Sequence, residues 1–351
     1  MSSDQIGELQ QTIRRSQRVH VVGSQSKTGF HCESNDAVRI STQGLTGVVS
    51  YDPQEFVITV MSGTLVTEVI AVLAEQGQYL PFDPLLSSRL ATIGGTVCAN
   101  SAGSGRFRFG GIRDFLIGVR FIDGRGNCIR GGGQVVKNAA GFDYPKLMVG
   151  SRGTLGLVYE LTFKVFPRPE SFVTVISQFS ELNSALVCMN QLASSAMDLE
   201  AIDLVPNRVH GGVYELVVRL GGIATAIPNR VTRLQKWFPA ACVLHGADDS
   251  KYWVDSSDMA WVSDTTLLKL PITSSAIPEL EQLLAAESVV RRYCVGGNVA
   301  WIAGPWRSDW PKKYGVPQVF LGKEIPNSEV PKAGPFGIAI KRALDPEMKL
   351  V

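Results

Sequence analysis

The sequence predicts an α+β protein of two domains, on three observations. The chain has 351 residues, which exceeds the length of one typical domain. Apolar patterns of strand period and of helix period alternate along it. The run Pro167-Arg168-Pro169 separates a glycine-rich first part from a second part of regular strand and helix alternation. We therefore expect one domain at residues 1–169 and another at residues 170–351.

The elements of the first part follow from its apolar spacing. A helix is predicted over residues 4–17, where Ile6, Leu9 and Ile13 recur at helical spacing. A second helix is predicted over residues 66–76, where an amphipathic pattern ends at Gly77. Strands are predicted at 19–22, 37–40, 46–51, 56–60 and 115–122, the second and third as a pair.

The second part predicts an α+β domain with a mostly antiparallel sheet, because strand and helix patterns alternate in it. The strands are expected at 173–179, 199–205, 213–220, 266–272, 289–295 and 299–303. The helices are expected at 181–195, 229–238, 278–287 and 336–344. The segment 304–335 is rich in Pro, Gly and Trp and is predicted to be an irregular connection.

Composition excludes several classes of protein. Hydrophobic residues make up 45% of the chain and charged residues 19%, which excludes a disordered chain. The net charge of +2 gives no electrostatic case for nucleic acid or an anionic membrane. The first residues have no apolar core of a secretory signal, and no apolar stretch reaches the ~18 residues of a membrane span. A cytoplasmic protein without a membrane span is expected.

Common metal and nucleotide motifs are absent from the sequence. Its six cysteines are scattered without a CxxC pair, so reduced thiols are expected rather than a zinc or iron–sulfur site. Its four histidines show no HxH or HxxxH spacing, and no metal site is predicted. The chain contains neither GxGxxG nor GxSxG, which argues against a Rossmann dinucleotide site and a serine hydrolase.

The distribution of glycine is the most informative local feature. Sixteen of the 35 glycines fall between Gly94 and Gly156. Glycine permits positive φ and close approach of the backbone, so the tract fits a chain wrapped around a large ligand. A series of tight turns and bulges is the alternative, and composition leaves both open.

Two loops of small residues predict an anion cradle. The first is VVGSQSKTG, in which consecutive backbone N–H groups can form a concave nest beside Lys27. The second begins at Thr92-Ile93-Gly94-Gly95-Thr96 and continues through Asn100-Ser101-Ala102-Gly103-Ser104-Gly105. Two such loops would suit a pyrophosphate held from both sides.

Three stretches resemble the FAD-binding domain of the vanillyl-alcohol-oxidase-type flavoproteins, the PCMH-type FAD-binding domain. They read VVGSQSKTGF, PFDPLLSSRLATIGGTVCANSAGSGRFRFGGIRDFLIGVRFIDGRG and GGQVVKNAAGFDYPKLMVGSRGTLGLVYELTFKVFPRP, and cover nearly all of residues 18–169. The resemblance implies an FAD domain of two α+β subdomains, a smaller α+β cap domain, and a last helix that returns to the FAD domain. The chain length and the ending ALDPEMK are similar to the FAD-binding E subunits of bacterial glycolate oxidase.

The resemblance implies FAD as the cofactor and implies which residues of each matching stretch bind it. The matching cofactor-binding positions are Gly23, Ser24, Gln25, Ser26, Lys27, Thr92, Gly94, Gly95, Asn100, Arg113, Asp114, Asn138, Gly141, Gly156 and Val158. Residues 22–30 contain no histidine, where the superfamily often attaches FAD covalently, so non-covalent FAD is expected. Lys137 is a catalytic candidate that would place positive charge near the flavin, or else a surface lysine. Arg113 and Asp114 would alternatively form a structural ion pair.

Departures from the superfamily limit what transfers. Its metal-dependent D-2-hydroxyacid dehydrogenases carry paired histidines and a glutamate in their C-terminal half, whereas residues 170–351 contain only His210 and His245. No catalytic base is therefore assigned. The chain also ends at Val351, before the N-P-G ending usual in the family.

The resemblance implies an FAD-dependent oxidoreductase acting on CH–OH groups, as one subunit of a complex that oxidises glycolate to glyoxylate. The implied partners are a related flavoprotein subunit and an iron–sulfur subunit, and any membrane association would be made through them. Two alternatives stay open: a free-standing FAD oxidoreductase of another hydroxy acid or alcohol, and an assembly subunit with structural FAD.

Overall fold

The computed structural model describes residues 3–30, 36–133, 142–207, 213–238, 242–263, 266–285, 287, 289–304, 318–322 and 334–351. The chain forms two compact units. The first unit combines Met1–Ala102, Gly111–Arg168 and Pro331–Val351, and the second combines Gly103–Gly110 and Pro169–Val330. The predicted domain limits at 169/170 stay a prediction, and the short segment 103–110 belongs to the second unit.

The described residues form helices and strands in both units. In chain order, the helices are α1 (Ser3–Arg15), α2 (Val66–Ala74), α3 (Ile93–Cys98), α4 (Arg106–Phe109), α5 (Ile112–Phe115), α6 (Tyr144–Met148), α7 (Leu182–Ala193), α8 (Ile227–Leu234), α9 (Gly246–Ser257), α10 (Ile277–Leu284) and α11 (Pro335–Leu344). The strands are β1 (Val19–Val22), β2 (Val38–Ser41), β3 (Val48–Asp52), β4 (Val57–Met61), β5 (Gln78–Tyr79), β6 (Leu116–Ile122), β7 (Cys128–Gly132), β8 (Leu157–Lys164), β9 (Phe166–Pro167), β10 (Ser171–Phe179), β11 (Leu199–Asn207), β12 (Val213–Gly222), β13 (Cys242–His245), β14 (Leu267–Pro271), β15 (Val290–Cys294), β16 (Val299–Ala303) and β17 (Gln318–Leu321).

The first unit contains a five-stranded antiparallel sheet in the order β3-β4-β8-β6-β7. β1 and β2 form a separate parallel pair in which Val19 lies opposite Val38. The prediction of β2 and β3 as a pair is therefore wrong, because β2 pairs with β1 and β3 pairs with β4. Parallel strands need a long connection, and the first predicted cofactor loop begins that connection.

The predicted N-terminal helix is present, and its apolar face is used as its spacing indicated. Ile13 is fully buried in a cluster with Val19 and Ile122, and Ile6 and Leu9 pack against the same cluster. The three residues recur every three or four positions, so they share one face of α1. This face fixes α1 against the start of β1.

The second unit contains an eight-stranded antiparallel sheet in the order β13-β10-β12-β11-β15-β16-β14-β17. All of its described strand pairs are antiparallel, which confirms the predicted sheet type. Its large core buries apolar residues of α7, α8 and α10 with alternate residues of the strands, among them Ile202 and Val218. The intervening residues Ala201 and Val217 form a smaller cluster with Trp253 of α9.

Four elements of the second unit were not predicted, one of which is the short helix α4 in the segment 103–110. α9 carries its only large apolar residues side by side at Tyr252-Trp253-Val254, so it lacks a helical apolar period. β13 is a short strand at the sheet edge. β17 lies within the segment 304–335 predicted as irregular, and its Val319, Phe320 and Leu321 are buried.

Candidate functional site

A pocket in the first unit brings most of the predicted cofactor residues together. Its empty volume is about 760 Å³, including space open to solvent. Ten predicted positions line it: Gly23, Ser24, Gln25, Ser26, Lys27, Thr92, Gly94, Gly95, Gly156 and Val158. They come from three stretches of chain that lie far apart in the sequence. The geometry joins the two predicted loops and the glycine-rich strand start in one site, and their individual contacts with a cofactor stay a prediction.

The first loop leaves the end of β1 and passes directly beside the second loop. A Cβ added to Gly23 would lie 2.7 Å from Thr92 Oγ1, so a side chain at position 23 would overlap the second loop. Gln25 has a φ of 62°, which turns the backbone within the loop. The absence of a side chain at position 23 thus allows the two loops to approach.

Lys27 supplies a buried positive charge to this pocket. Its side chain is only 7% exposed, and its Nζ lies 3.4 Å from Ser26 Oγ. No carboxylate of the described residues forms an ion pair with it. Burial lowers the pKa of Lys27 from 10.5 to about 8, and the nearby Cys98 opposes this change. An anionic ligand would relieve the cost of this buried charge.

α3 forms a second wall of the pocket and is held by its own first residues. The hydroxyl of Thr92 caps the helix and accepts a hydrogen bond from Gly95 N at 3.2 Å. Gly94 N donates to Ser62 O at 2.8 Å, and a Cβ at position 94 would lie 2.7 Å from Ser62 Cβ. Gly94 is therefore required for packing of α3 against the end of β4, a constraint that does not involve a cofactor.

Residues 153–158 form a third wall as they enter β8. The position of a Cβ on Gly153 is 3.2 Å from Val21 Cβ, so this wall packs directly onto β1. A Cβ on Gly156 would overlap Phe121 Cδ2, so no side chain could occupy that position. Gly156 and Val158 line the pocket beside the first loop. The close approach of three chain segments builds the walls.

The glycine tract has a mixed explanation. Gly94, Gly95, Gly153 and Gly156 line the pocket. Other glycines of the tract admit neighbouring protein atoms instead, since a Cβ on Gly131 would overlap the side chain of Tyr144. The interpretation of the whole tract as wrapped around a ligand is therefore too broad, because much of it serves close packing and turns.

Several predicted residues lie away from the pocket walls. Asn100, in the left-handed region with a φ of 48°, is not a lining residue. Arg113 and Asp114 are exposed on α5, where Asp114 Oδ2 accepts from Gly111 N at 2.8 Å. The alternative of an Arg113–Asp114 ion pair is also not found, since the carboxylate caps its own helix. Lys137, Asn138 and Gly141 lie outside the described residues.

The last residues of the second predicted loop do not line the pocket. Gly103, Ser104 and Gly105 belong to the second unit, where Ser104 Oγ donates to Asp203 Oδ2 at 2.5 Å. Arg108 of the same segment pairs with Glu200. The anion cradle therefore ends before residue 103, because the following residues are anchored to β11.

Some lining residues were missed by sequence reasoning. They are His20, Val21, Val22, Thr42, Ser62, Cys98, Ala99 and Arg152, whereas the lining residue Gly153 belongs to the stretch whose backbone the resemblance places at the cofactor. Ser62 Oγ is buried and has no hydrogen-bond partner among the described residues, so it can bond a ligand. Burial raises the pKa of the Cys98 thiol, which keeps it neutral beside Lys27. Arg152 directly precedes Gly153-Thr154-Leu155-Gly156 in the third of the stretches that resemble the FAD domain, and this adjacency was the signal that could have predicted it as a lining residue.

The residues of the pocket fit the diphosphate of FAD. They offer loop N–H groups of small residues, together with a buried ammonium and a buried hydroxyl that have, respectively, no carboxylate and no hydrogen-bond partner in the described part of the chain. Within the described ranges, no group of three or more His, Cys, Asp or Glu side chains could hold a metal ion. Across the same ranges, no helix combines the length and apolar character needed to cross a membrane.

Comparisons with known proteins agree with this fit. Residues 2–132 match the family model of the FAD binding domain. The glycolate oxidase subunit GlcE of Escherichia coli (strain K12) is 44% identical over 134 residues, which are 38% of this chain and 38% of that protein. The glycolate oxidase subunit GlcD of Bacillus subtilis (strain 168) is 30% identical over 208 residues, 58% of this chain and 42% of that protein.

More distant similarities include a dehydrogenase and a solved structure. The D-lactate dehydrogenase of Anaerostipes hadrus is 28% identical over 195 residues, 55% of this chain and 41% of that protein. The chain thus spans about two fifths of the length of these curated relatives. The structure of an alkyldihydroxyacetonephosphate synthase superposes with a TM-score of 0.72 at 15% identity, covering 99% of this chain and 74% of that one, which shows a shared fold. The reported relatives are named as two oxidase subunits and a dehydrogenase, and the match of residues 2–132 to an FAD binding domain shows that the cofactor is FAD.

Proposed function

We propose that this chain is the FAD-binding subunit of a glycolate-oxidase-type complex that oxidises glycolate to glyoxylate. The observation that carries the proposal is the pocket of the first unit, where the buried Lys27, which pairs with no carboxylate of the described residues, meets two amide-rich loops. The similarity to two subunits named for glycolate oxidase supports the choice of reaction. The D-lactate dehydrogenase match supports the broader class of 2-hydroxy acids.

The chain's own residues would bind and orient the cofactor. Bound FAD supplies an acceptor for the hydride that leaves the carbon bearing the hydroxyl group. The first loop and Lys27 would bind the diphosphate, and the wall formed by Gly156 and Val158 would exclude water on one side. No catalytic base is assigned, and Lys137 remains the candidate made from sequence resemblance.

We infer that FAD is held without a covalent bond. The first loop, residues 23–27, has no histidine, and Cys98 is a neutral thiol because burial raises its pKa. Denaturation of the purified protein should therefore release the flavin into the supernatant. Flavin that remains with the precipitate would contradict non-covalent binding.

The proposed partners are a related flavoprotein subunit and an iron–sulfur subunit. The sequence motif for clustered iron–sulfur ligands is lacking in this chain, so such clusters would reside on another subunit. The second half of the sequence also lacks the histidine and glutamate pattern of metal-dependent D-2-hydroxyacid dehydrogenases. We place the main substrate site on the flavoprotein partner and the complex in the cytoplasm, with any membrane association through partner subunits.

The decisive experiment compares the isolated chain with the chain purified with its native partners. Anaerobic mixing with excess glycolate should bleach the flavin slowly in the isolated chain, because a catalytic base contributes about 10²–10⁴-fold in rate. The co-purified complex should bleach rapidly. Rapid bleaching by the chain alone would favour a free-standing FAD oxidoreductase, with D-lactate as the next substrate to try. A complex in which this chain's flavin is never reduced would favour a structural FAD.

A further inference from the structure

The segment of residues 341–351, which we name the 341–351 clamp, lies against two walls of the FAD pocket. The clamp comprises the last turn of α11 and the segment that follows it. Its residue Leu350 forms a parallel bridge with Val19 of β1. Val19 N donates to Lys349 O at 2.7 Å, and Val351 N donates to Val19 O at 2.9 Å. The segment thus extends the β1–β2 pair along the free edge of β1.

Lys341 connects this segment to residues 153–158, the third wall of the pocket. Its Nζ donates to Thr154 O, Asp345 Oδ2 and Leu350 O, each at 2.6 Å. An ammonium group has three donors, so all of them are used. Thr154 lies between Gly153 and Gly156, which line the pocket. The Nζ atom of Lys341 therefore binds both residues 153–158, through Thr154, and the rest of the clamp.

Asp345 makes this junction rigid. It is fully buried, and its carboxylate accepts from Lys349 N at 3.0 Å and Leu350 N at 2.8 Å in addition to Lys341. A Cβ on Gly124 would overlap Asp345 Oδ1, so the glycine makes room for the carboxylate. A buried carboxylate with charged and backbone donors holds its partners in one arrangement.

The two walls that the clamp joins also touch each other inside the pocket. The Cβ position of Gly153 is 3.2 Å from Val21 Cβ, and both residues line the pocket. The first loop begins directly after β1, at Gly23. A displacement of either wall would therefore change the distance between the first loop and the strand start at residues 156–158.

We propose that Lys341 is a positioning residue for FAD, which acts by holding residues 153–158 and β1 at a fixed separation through the 341–351 clamp. The proposal concerns the pocket alone and rests on its assignment as the FAD site, independently of glycolate as the substrate. Lys341 does not line the pocket, so its effect on the cofactor would be exerted through Thr154 and Leu350.

The test is Lys341→Met in the full chain, with Lys349→Met as the matched control. Lys349 lies in the same clamp, but its Nζ bonds Arg14 O at 3.1 Å and pairs with Glu347, away from residues 153–158. FAD titrated into each apo-protein is followed by flavin fluorescence, and melting temperatures are measured with and without FAD. We expect Lys341→Met to weaken FAD binding at least tenfold and to reduce the FAD-dependent rise in melting temperature. Lys349→Met should bind FAD within twofold of the wild type.

A second variant separates positioning from loss of folding. Lys341→Arg keeps a positive charge beside Asp345, but its planar guanidinium cannot place one nitrogen against three oxygens. Its FAD affinity should lie between those of the wild type and Lys341→Met. Wild-type FAD affinity in both Lys341 variants would overturn the proposal, as would an equal loss of melting temperature with and without FAD. If the wild type itself binds no FAD, the assignment of the pocket fails instead, and glycolate turnover plays no part in either outcome.

Discussion

Substitution of Lys27 should change the stability of the apo-protein and its affinity for FAD in opposite directions. Lys27 is 7% exposed, and none of the described carboxylates pairs with it, so the apo-protein bears the cost of a buried charge. Its pKa falls from 10.5 to about 8, and each pKa unit corresponds to about 1.4 kcal/mol. Lys27→Met should therefore stabilise the apo-protein by up to about 3 kcal/mol at pH 7.

The pH dependence of this effect has a definite sign. Below pH 8 the lysine is protonated in both states, and the folded state carries the full cost of the buried ammonium. Between about pH 8 and 10.5 the folded protein has lost the proton while the unfolded chain keeps it, so this contribution raises wild-type stability with pH. The advantage of Lys27→Met should shrink across that window.

In FAD binding the wild type should have the advantage over Lys27→Met. A hydrogen bond to a charged group contributes about 1.5–3 kcal/mol, so Lys27→Met should weaken FAD binding by about 10- to 100-fold at pH 7. In the wild type, affinity should fall as the pH rises through 8, because the neutral amine of Lys27 must then take up a proton to bind the phosphates as an ammonium. Lys251→Met is the control, since Lys251 is an exposed residue of α9 in the other unit.

The measurements are urea unfolding of FAD-free protein at pH 7 and pH 9.5, and FAD titration at the same pH values. If FAD-free Lys27→Met is no more stable than the wild type at pH 7, the conclusion that the Lys27 ammonium destabilises the apo-protein is refuted. Unchanged FAD affinity would refute the role of Lys27 in the diphosphate site.

Three further substitutions test the packing around the site and the second unit. Gly94→Ala should destabilise the FAD-free protein, because its Cβ would lie 2.7 Å from Ser62 Cβ, and an unchanged apo melting temperature would contradict this packing. Thr92→Val should cost about 1 kcal/mol in urea unfolding, since it removes the cap that accepts from Gly95 N, and no loss would argue against the cap. Arg219→Met should cost about 3–5 kcal/mol, because the buried Asp249 carboxylate loses its charged partner at 2.7 Å and keeps only the hydrogen bond from Thr174 among the described contacts. The double change with Asp249→Asn should recover part of that loss, and its failure to do so would show that the charge is not the cause.

The packing of Gly94 against Ser62 affects how a substitution of this glycine should be interpreted. If Gly94 served only to admit the cofactor, Gly94→Val would block FAD by occupying cofactor space. In the structure, a Cβ at position 94 points at Ser62. Loss of FAD in that variant would follow from displacement of α3 as readily as from a direct clash, so Lys27→Met is the sharper probe.

The sequence by itself determined most of the local elements and predicted which loops bind the cofactor. The spacing of Ile6, Leu9 and Ile13 predicts the buried face of α1, because a helix repeats its faces every three to four residues. The resemblance of residues 18–169 to PCMH-type FAD domains identified the loop at 23–27 and the start of α3, which the structure brings to one pocket. α9 was not predicted because its large apolar residues are adjacent in the sequence and do not recur every three to four residues.

Only the tertiary structure decided which distant segments meet. The partner of β2 is β1 rather than β3, and the strand pattern of β2 is compatible with either. Residues 103–105 are part of the predicted second loop, yet the segment 103–110 is anchored to β11 by Ser104 and Arg108. The bond from Lys341 to Thr154 joins residues 187 positions apart. Periodicity describes one element at a time, whereas these contacts depend on where the chain returns, and that is set by the packing of the whole unit.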